Sequence, residues 1–509
     1  MKRRYLFLLV WLFSHLPVLA QVDTAWVRRY NGPGNGDDRA VALAVDASGN
    51  VYMTGNSPGS GTYTDFATIK YAPNGDTVWV RRYNGPGNGY DVVAALVVDD
   101  SGNVYVGGGG VQISGALCDF VTIKYSSAGD TLWIRTYNGP INGDEYVLAI
   151  AVDAHGNVYV TGDSHGGGTG YDYATIKYAP NGDTLWVRRY NYRLYPGDVP
   201  SALAVDDSGN VYVTGAAIFG DCTYACLGDF ATIKYAPNGD SLWARIYDGS
   251  DGDDASALSQ DGSGNVYVTG SSFSFVTSWD YATIKYTPNG DSLWVRRYNG
   301  PGNSDDNANA LAVDSSGNVY VTGNTATIKY LPNGDTSWVR TGYYGNDIAV
   351  DGSGNVYVTG GSGTIKYSAS GDSVWFGQYG GNDLAIDESG NVYVTGGSGG
   401  DYVTIKYVQI PVSVQDDAGE LPREFSLAEN FPNPFNPSTT IRFELPRLSH
   451  VSLKIYNILG QEVATLVDEL RPAGVFTVEW NAGFHPSGVY FYRLRAGSFI
   501  ETKKLVLLR

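Results

Sequence analysis

The chain has 509 residues, with 52 acidic and 34 basic side chains and a formal charge of −18. A field of that sign repels phosphate backbones and anionic lipid, which excludes nucleic-acid binding and leaves divalent cations and basic partners as acceptable company. With 66 Gly, 39 Tyr and 11 Trp against 2 Met, and no long stretch of apolar spacing near 3.6, the composition excludes a helical fold and points to β-structure.

In chain order, MKRRYLFLLVWLFSHLPVLA opens with a basic start, an apolar middle and small residues at its end. Val18 and Ala20 suit the −3 and −1 positions of a signal-peptidase site, so cleavage is expected between Ala20 and Gln21, with residues 1–20 as the signal peptide. Removal of Lys2, Arg3 and Arg4 with it would bring the mature charge to −21. The apolar run is too short for a comfortable membrane span and no second run follows, so an exported protein without a transmembrane segment is expected. Three cysteines fit that compartment loosely. Cys222 and Cys226 could close a local disulfide with Cys118 left over, and one C-x-x-x-C is a poor zinc signal.

From residue 24 onward three short pieces recur. DxSGNVYVTG-type phrases place an Asp at 46, 99, 153, 206, 261, 314, 351 and 387, TIKY-type strands follow, and WVRRY-type strands place a Trp at 26, 79, 133, 186, 243, 294, 338 and 375. The x-S-G-N segments, which join strands such as VALAV (41–45) and VYMTG, read as tight turns, and so do the PNGD segments between TIKY and the Trp strands. Each unit therefore predicts four strands, and a four-stranded unit must hide its faces against copies of itself. A β-propeller is expected in preference to a linear β-solenoid, whose repeats are shorter. A lone Trp strand begins the array at 24–30 and a lone TIKY ends it at 404–407. The expectation is eight four-stranded blades over 21–407, the last completed by the N-terminal strand 24–30.

TDFATIKYAPNGDTVWVRRYNGPGNGYD followed by VDDSGNVYV resembles the bacterial β-propeller repeat family usually called seven-bladed, here in eight copies. The resemblance implies a secreted or surface propeller and no single activity. A repeated Trp also occurs in eight-bladed quinoprotein dehydrogenases, but eight equivalent Trp residues fit a packing ladder better, since a cofactor needs one site of broken symmetry.

Successive copies are spaced by 53, 54, 53, 55 and 53 residues, then by 37 and 36. The shortening falls in the connections from the second strand to the third and from the fourth strand to the next first strand, for example SSFSFVTSWDYA at 271–282 against NTA at 324–326. In a four-stranded meander these connections share one face. Loops on a rigid scaffold carry function, and these are rich in Gly, Tyr and acid. Asp37, Asp38, Asp91, Asp144, Glu145, Asp253, Asp254, Asp305 and Asp306 are the candidate binding residues. Tyr faces with carboxylates suit a glycan or a basic peptide, and rings of carboxylates could hold Ca²⁺. The two short late copies predict a low side to this face and hence a lopsided groove. No catalytic constellation is found: GDSHG at 162–166 enters a Gly-rich loop and not a helix, and His155 and His165 have no recognisable acid partner for a triad.

Residues 408–424 read as a polar, Pro-containing linker, and 425–509 as a small β-sandwich from period-two runs such as HVSLKIYN and FTVEWN. FPNPFNPSTTI, KIYNILGQEV, SGVYFYRL and the terminal KKLVLL resemble the C-terminal sorting domain (type A) read by the type IX secretion system of certain Gram-negative bacteria. The matching positions are Pro432, Asn433, Pro434, Phe435, Gly460, Gly488, Lys503 and Lys504. The resemblance implies the secretion machinery as partner and the outer cell surface or the medium as destination. Together the expectations are an all-β chain, an eight-bladed propeller plus a C-terminal sandwich, acting as a binding or adhesion module for a glycan or protein. An extracellular enzyme acting on polysaccharide and a structural surface-layer component are the alternatives.

Overall fold

The computed structural model describes residues 21–111, 117–192, 197–219, 227–249, 252–410, 422, 424–483 and 485–508. The expected signal peptide, the Cys222/Cys226 pair and most of the linker lie outside the described residues. Every element among them is a β-strand, and the chain divides into two compact units, one formed by Val22–Asp372 with Phe376–Gln409 and one built around Ile410–Arg509.

Within the larger unit, Arg39–Val45, Val51–Pro58, Thr64–Tyr71 and Thr77–Tyr83 form an antiparallel meander in chain order. Four-stranded sheets of the same order recur over 92–137, 145–190, 197–247, 252–298, 308–341 and 347–377, the third and fourth joined by one parallel bridge between Tyr171 and Gly197. A further sheet holds Asp383–Ile386, Val392–Ser398 and Asp401–Ile410, and its outer strand is Gln21–Tyr30 from the other end of the unit. These are four-stranded sheets of the propeller-blade type, numbered one to eight below.

The repeated phrase explains each inner hairpin. Asp46 Oδ1 accepts the amides of Ser48 and Asn50, and its Oδ2 accepts the Asn50 side-chain amide and the Tyr52 hydroxyl, all at 2.7–2.9 Å. Gly49 takes φ +77°, where a Cβ would be strained. Burial alone would raise the Asp46 carboxyl, but these donors outweigh it and hold it below its ordinary range. The same bonds recur at Asp99, Asp153, Asp206, Asp261, Asp314, Asp351 and Asp387.

Neighbouring sheets are held by the Trp strand. Trp79 Nε1 donates to Ser127 O at 3.3 Å, a carbonyl in the outer turn of sheet two, and its ring lies between Tyr52 and Tyr125. Arg81 donates to Gly129 O in that same turn, and Lys70 stands over the Tyr52 ring. Trp26 repeats the contact from the N-terminal strand: its Nε1 donates to Pro73 O of sheet one at 3.1 Å, and its ring lies between Tyr71 and Tyr393. Asn382 Nδ2 donates to Ala40 O and the Asp38 amide to Gly400 O, so sheet eight also meets sheet one along its inner edge and its loops. A buried Trp removes about 150–250 Å² from water, worth roughly 4–6 kcal/mol as an upper bound.

The smaller unit is a β-sandwich. Ser426–Leu427, Ser438–Leu445 and Gly474–Asn481 form one sheet, and Glu462–Arg471, Ser449–Asn457, Gly488–Ala496 and Phe499–Leu507 the other. Alternate residues point inward, so Ile441, Phe443, Leu453, Ile455, Tyr492 and Leu505 share one core.

Because Trp26 makes the contacts that Trp133 makes within the array, Trp26→Ala and Trp133→Ala should each cost about 3–5 kcal/mol. Urea unfolding measures both, and a near-zero cost for Trp26→Ala alone would show that the N-terminal strand carries no load.

Candidate functional site

In each meander the DxSGN turn and the PNGD-type turn lie at one end of the sheet and the two length-variable connections at the other. The strands next to the variable end track loop length. Val158–Gly166 and Gly170–Tyr178 have nine residues each, whereas Val356–Gly360 and Gly363–Tyr367 have five. At roughly 3.3 Å per residue the seventh sheet stops about 13 Å lower.

The nine candidate acids divide by role. Asp38, Asp91, Glu145, Asp253 and Asp306 are fully buried and occupy one equivalent position, eight residues before each turn aspartate. Asp91 accepts the Gly85 and Val111 amides at 2.5 and 3.0 Å, Asp38 the Gly32 amide at 2.8 Å and Asp253 the Gly249 amide at 2.6 Å. Asp306 accepts the Gly300 amide and the Thr325 hydroxyl, and Glu145 faces the Gly139 and His165 amides. Asp91, Glu145 and Asp306 each tie two variable loops together from beneath. Burial, the main cause, lifts Asp91 to about 6 and Glu145 to about 7 against the opposing pull of those amides. Asp198, which sequence reasoning passed over in the YRLYPGDVPS stretch, holds the same position, braces Tyr192 and Ile218, and is likewise lifted to about 6 by burial. In the two short copies the position holds Tyr343 and Tyr379, since little loop remains to brace.

The other four do not converge. Asp37, Asp254 and Asp305 are exposed and Asp144 is half-buried. Asp144 accepts the Cys118 amide at 2.9 Å and Asp305 the Ser278 hydroxyl. Between them the face carries exposed aromatic rings. Tyr63 and Tyr90, both 57 % exposed, lie 4.6 Å apart. Phe273 meets Phe275 and Trp279 at 5.3 and 5.4 Å, with Phe275 83 % exposed. The Ser of GDSHG, Ser164, is buried and accepts Arg189 at 2.6 Å, a structural role. His165 packs edge-on against Tyr171, and His155 is an exposed turn residue.

One junction gathers three acids. In sheet three Arg189 donates to Asp172 Oδ2 and Asn191 to its Oδ1, both at 2.8 Å. Sheets one and five repeat the arginine pair as Arg82–Asp65 and Arg297–Asp280. In sheet four Asp229 holds the equivalent place, but Ile246 stands where Arg189 does, in the same register opposite Ala231 as Arg189 is opposite Ala174. Asp248 stands where Asn191 does. Asp229, Asp248 and Asp253 each bring a carboxylate oxygen within 4.8 Å of the others. Among the described residues these three could hold a divalent cation, whose preference is for clustered hard oxygens.

In the sandwich, Phe435 is buried against Trp480, while Pro432, Asn433 and Pro434 are exposed. Asn433 brackets the last strand, with its Oδ1 accepting the Val506 amide and its Nδ2 donating to Lys504 O. Gly460 takes φ +77° in a turn braced by Asn457, whose Oδ1 accepts the Leu459 and Gln461 amides. Gly488 begins the strand that ends at Ala496, Lys503 pairs with Glu429 at 3.2 Å and Lys504 is exposed. Thus the motif residues Asn433 and Phe435 and the terminal strand lie together, the amide of Phe435 bonding Val506 O and that of Leu508 bonding Phe435 O.

Comparison with known proteins agrees with both modules. Residues 293–327 match the beta-propeller repeat model, and residues 429–508 match that of the secretion system C-terminal sorting domain. The chain therefore carries propeller repeats and a sorting domain of that secretion system, and it is a secreted or cell-surface protein. The sorting domain implies the secretion machinery as a partner, and no helix among the described residues is long and apolar enough to cross a membrane. No curated protein matches the chain. Among solved structures, PorZ, a surface component of the type-IX secretion system of Porphyromonas gingivalis, is similar at 15 % identity and a TM-score of 0.40 over 95 % of this chain and 70 % of that one. A gluconolactonase of Xanthomonas campestris is similar at 11 % identity and 0.34, over 77 % and 99 %. A protein of unknown function from Bacteroides caccae is similar at 14 % and 0.33, over 54 % and 93 %. At TM-scores below 0.5 no activity is carried over from them.

Returning the sibling donors should relieve the repulsion at the odd junction. Ile246→Arg combined with Asp248→Asn is expected to stabilise the chain by about 1 kcal/mol or more in the presence of a chelator, read as a rise in thermal midpoint. An unchanged or lower midpoint would mean the three carboxylates do not repel one another.

Proposed function

We propose that the eight repeat sheets close into one eight-bladed propeller and that its variable-loop face binds an extracellular glycan or protein. In this reading residues 1–20 are the leader, 21–407 the propeller with 24–30 as its closing strand, 408–424 the linker and 425–509 the sorting domain. The observation that carries the reading is the segregation of variation. The constant turns at one end are spent on hydrogen bonds within and between sheets, whereas every change of loop length, the exposed rings of Tyr63, Tyr90 and Phe275 and the half-buried Trp279 belong to the other end.

Amphipathic rings beside carboxylates suit a sugar, whose C–H faces stack on aromatics while its hydroxyls donate to acids. The buried acids act as struts in this reading, leaving Asp37, Asp144, Asp254 and Asp305 to meet a ligand. A polysaccharide hydrolase would need two carboxyl groups held about 5–9.5 Å apart across the bond to be cut. Among the described residues the close acid pair near the inner edge, Asp347 with Asp383, is in direct hydrogen-bond contact, which favours binding over hydrolysis.

Two experiments test the two halves. Screening the full chain against glycans and basic peptides should give a binder whose affinity falls at least about tenfold, 1.4 kcal/mol, in Tyr63→Ala or Trp279→Ala. An absence of any response, or a response these changes leave intact, would remove the binding role. Fusing residues 410–509 to a periplasmic reporter in a competent host should carry it to the cell surface or medium, and a reporter retained in the periplasm would contradict the sorting assignment.

A further inference from the structure

Four residues before its turn aspartate, the innermost strand of each of the first six sheets carries Ala: 42, 95, 149, 202, 257 and 310. The last two sheets carry Asp347 and Asp383 there instead. These are also the two first strands of four residues, Asp347–Val350 and Asp383–Ile386, that follow the two shortest connections. Asp347 Oδ2 accepts the Leu384 amide at 2.9 Å, reaching from sheet seven to sheet eight. Asp383 Oδ2 accepts the Leu43 amide at 2.6 Å, reaching from sheet eight to sheet one, while its Oδ1 accepts the Leu384 amide at 2.9 Å. The two carboxyl groups also hydrogen-bond each other, and two carboxylates in contact can do so only by sharing a proton.

We propose that Asp347 and Asp383 form a one-proton clasp that ties sheets seven, eight and one at their inner edges and loosens as that proton leaves with rising pH. The clasp rests on the closed-ring reading above. Among the described residues no cation faces the pair to offset its charge. The first strand of sheet six, Ala308–Val313, has no titratable group, and Tyr320, Tyr357 and Tyr393 on the neighbouring second strands give their hydroxyls to Asp314, Asp351 and Asp387. Arg39 stands exposed at the start of Arg39–Val45. Burial raises both carboxyls, and the charge of Asp347 raises Asp383 further. A carboxyl that titrates higher in the folded chain than unfolded gives stability that is complete below its unfolded pKa, about 3.9 for Asp, and is lost as pH climbs through its folded one. The seam is therefore tightest in acid, opposite in sign to the turn aspartates.

The test is hydrogen exchange of the peptides holding Leu43 and Leu384 in the full chain between pH 5 and pH 8, corrected for the intrinsic rate, in native protein, Asp383→Asn and Asp347→Asn. Protection in the native chain should fall about tenfold for each pH unit between the unfolded pKa, about 3.9, and the folded pKa of the pair, and level off above it. Either Asn variant supplies a permanent N–H donor between the two side chains and should flatten the profile. The protonated-carboxyl stretch in infrared difference spectra of native against Asp383→Asn should vanish over the same range. Protection that is equal and pH-independent in all three proteins would overturn the clasp and leave the ring intact. Leu43 unprotected at every pH would overturn the ring, and the clasp with it.

Discussion

The aspartate that opens each inner hairpin is the constraint on which the larger unit depends. One carboxylate gathers two turn amides, an asparagine amide and a tyrosine hydroxyl, so a four-residue turn becomes a rigid corner and the second strand is pinned to the first. With that tyrosine fixed, the next layer of contacts has a floor: a lysine lies over its ring, and the tryptophan of the fourth strand packs beside it and reaches a carbonyl of the neighbouring sheet. Sheets thus stack by repeating one chain of contacts, and the constancy of the turn in length and composition follows from how many bonds each of its atoms makes. A charged group is economical here because it accepts four donors at once and stays ionised, so it is not left as an unpaired buried polar atom.

At the opposite end the same physics permits variation. A single acid per long-looped sheet reaches up from the first strand to hold loop amides, and above it the chain is free to differ. Ahead of sheets seven and eight the trimmed loop leaves tyrosine in place of the acid, and the five-residue second and third strands of sheets six and seven make the face low there. The breaks in symmetry at this end are Ile246 with Asp248, against the Arg–Asn pairs of sheets one, three and five, and Asp347 with Asp383, against the alanines of the first six sheets. In a repeat array each such departure stands out because the cost of the standard residue is already known from its copies.

Much of this was legible in the sequence. The four strands, the tight turns with their Asp and Asn acceptors, the tryptophan ladder and the two-layered C-terminal module follow from period-two patterning and turn residues, which act over fewer than ten positions. The separation of constant from variable connections followed from spacing alone. The candidate site was legible only as a region. Nine acids were picked out as one class, yet the strand neighbours Asp253 and Asp254 part company, one buried and one exposed. Strand alternation sends adjacent side chains to opposite sides, and the register of a bulged strand is not written in composition. Asp198 was missed because its loop had lost the NGPGNG wording of its siblings while keeping the spacing.

By itself, then, the sequence determined the kind of protein: its repeated unit, its strand content, its export address and which connections could vary, because these depend on local chemistry repeated many times over. Only tertiary structure decided which acids face water and which brace loops, and that Asp229 of one sheet meets Asp253 of the next. It alone brought Asp383 to an amide 340 residues away in the chain. Those outcomes depend on distances between sheets, and such distances are set by packing that no single repeat contains.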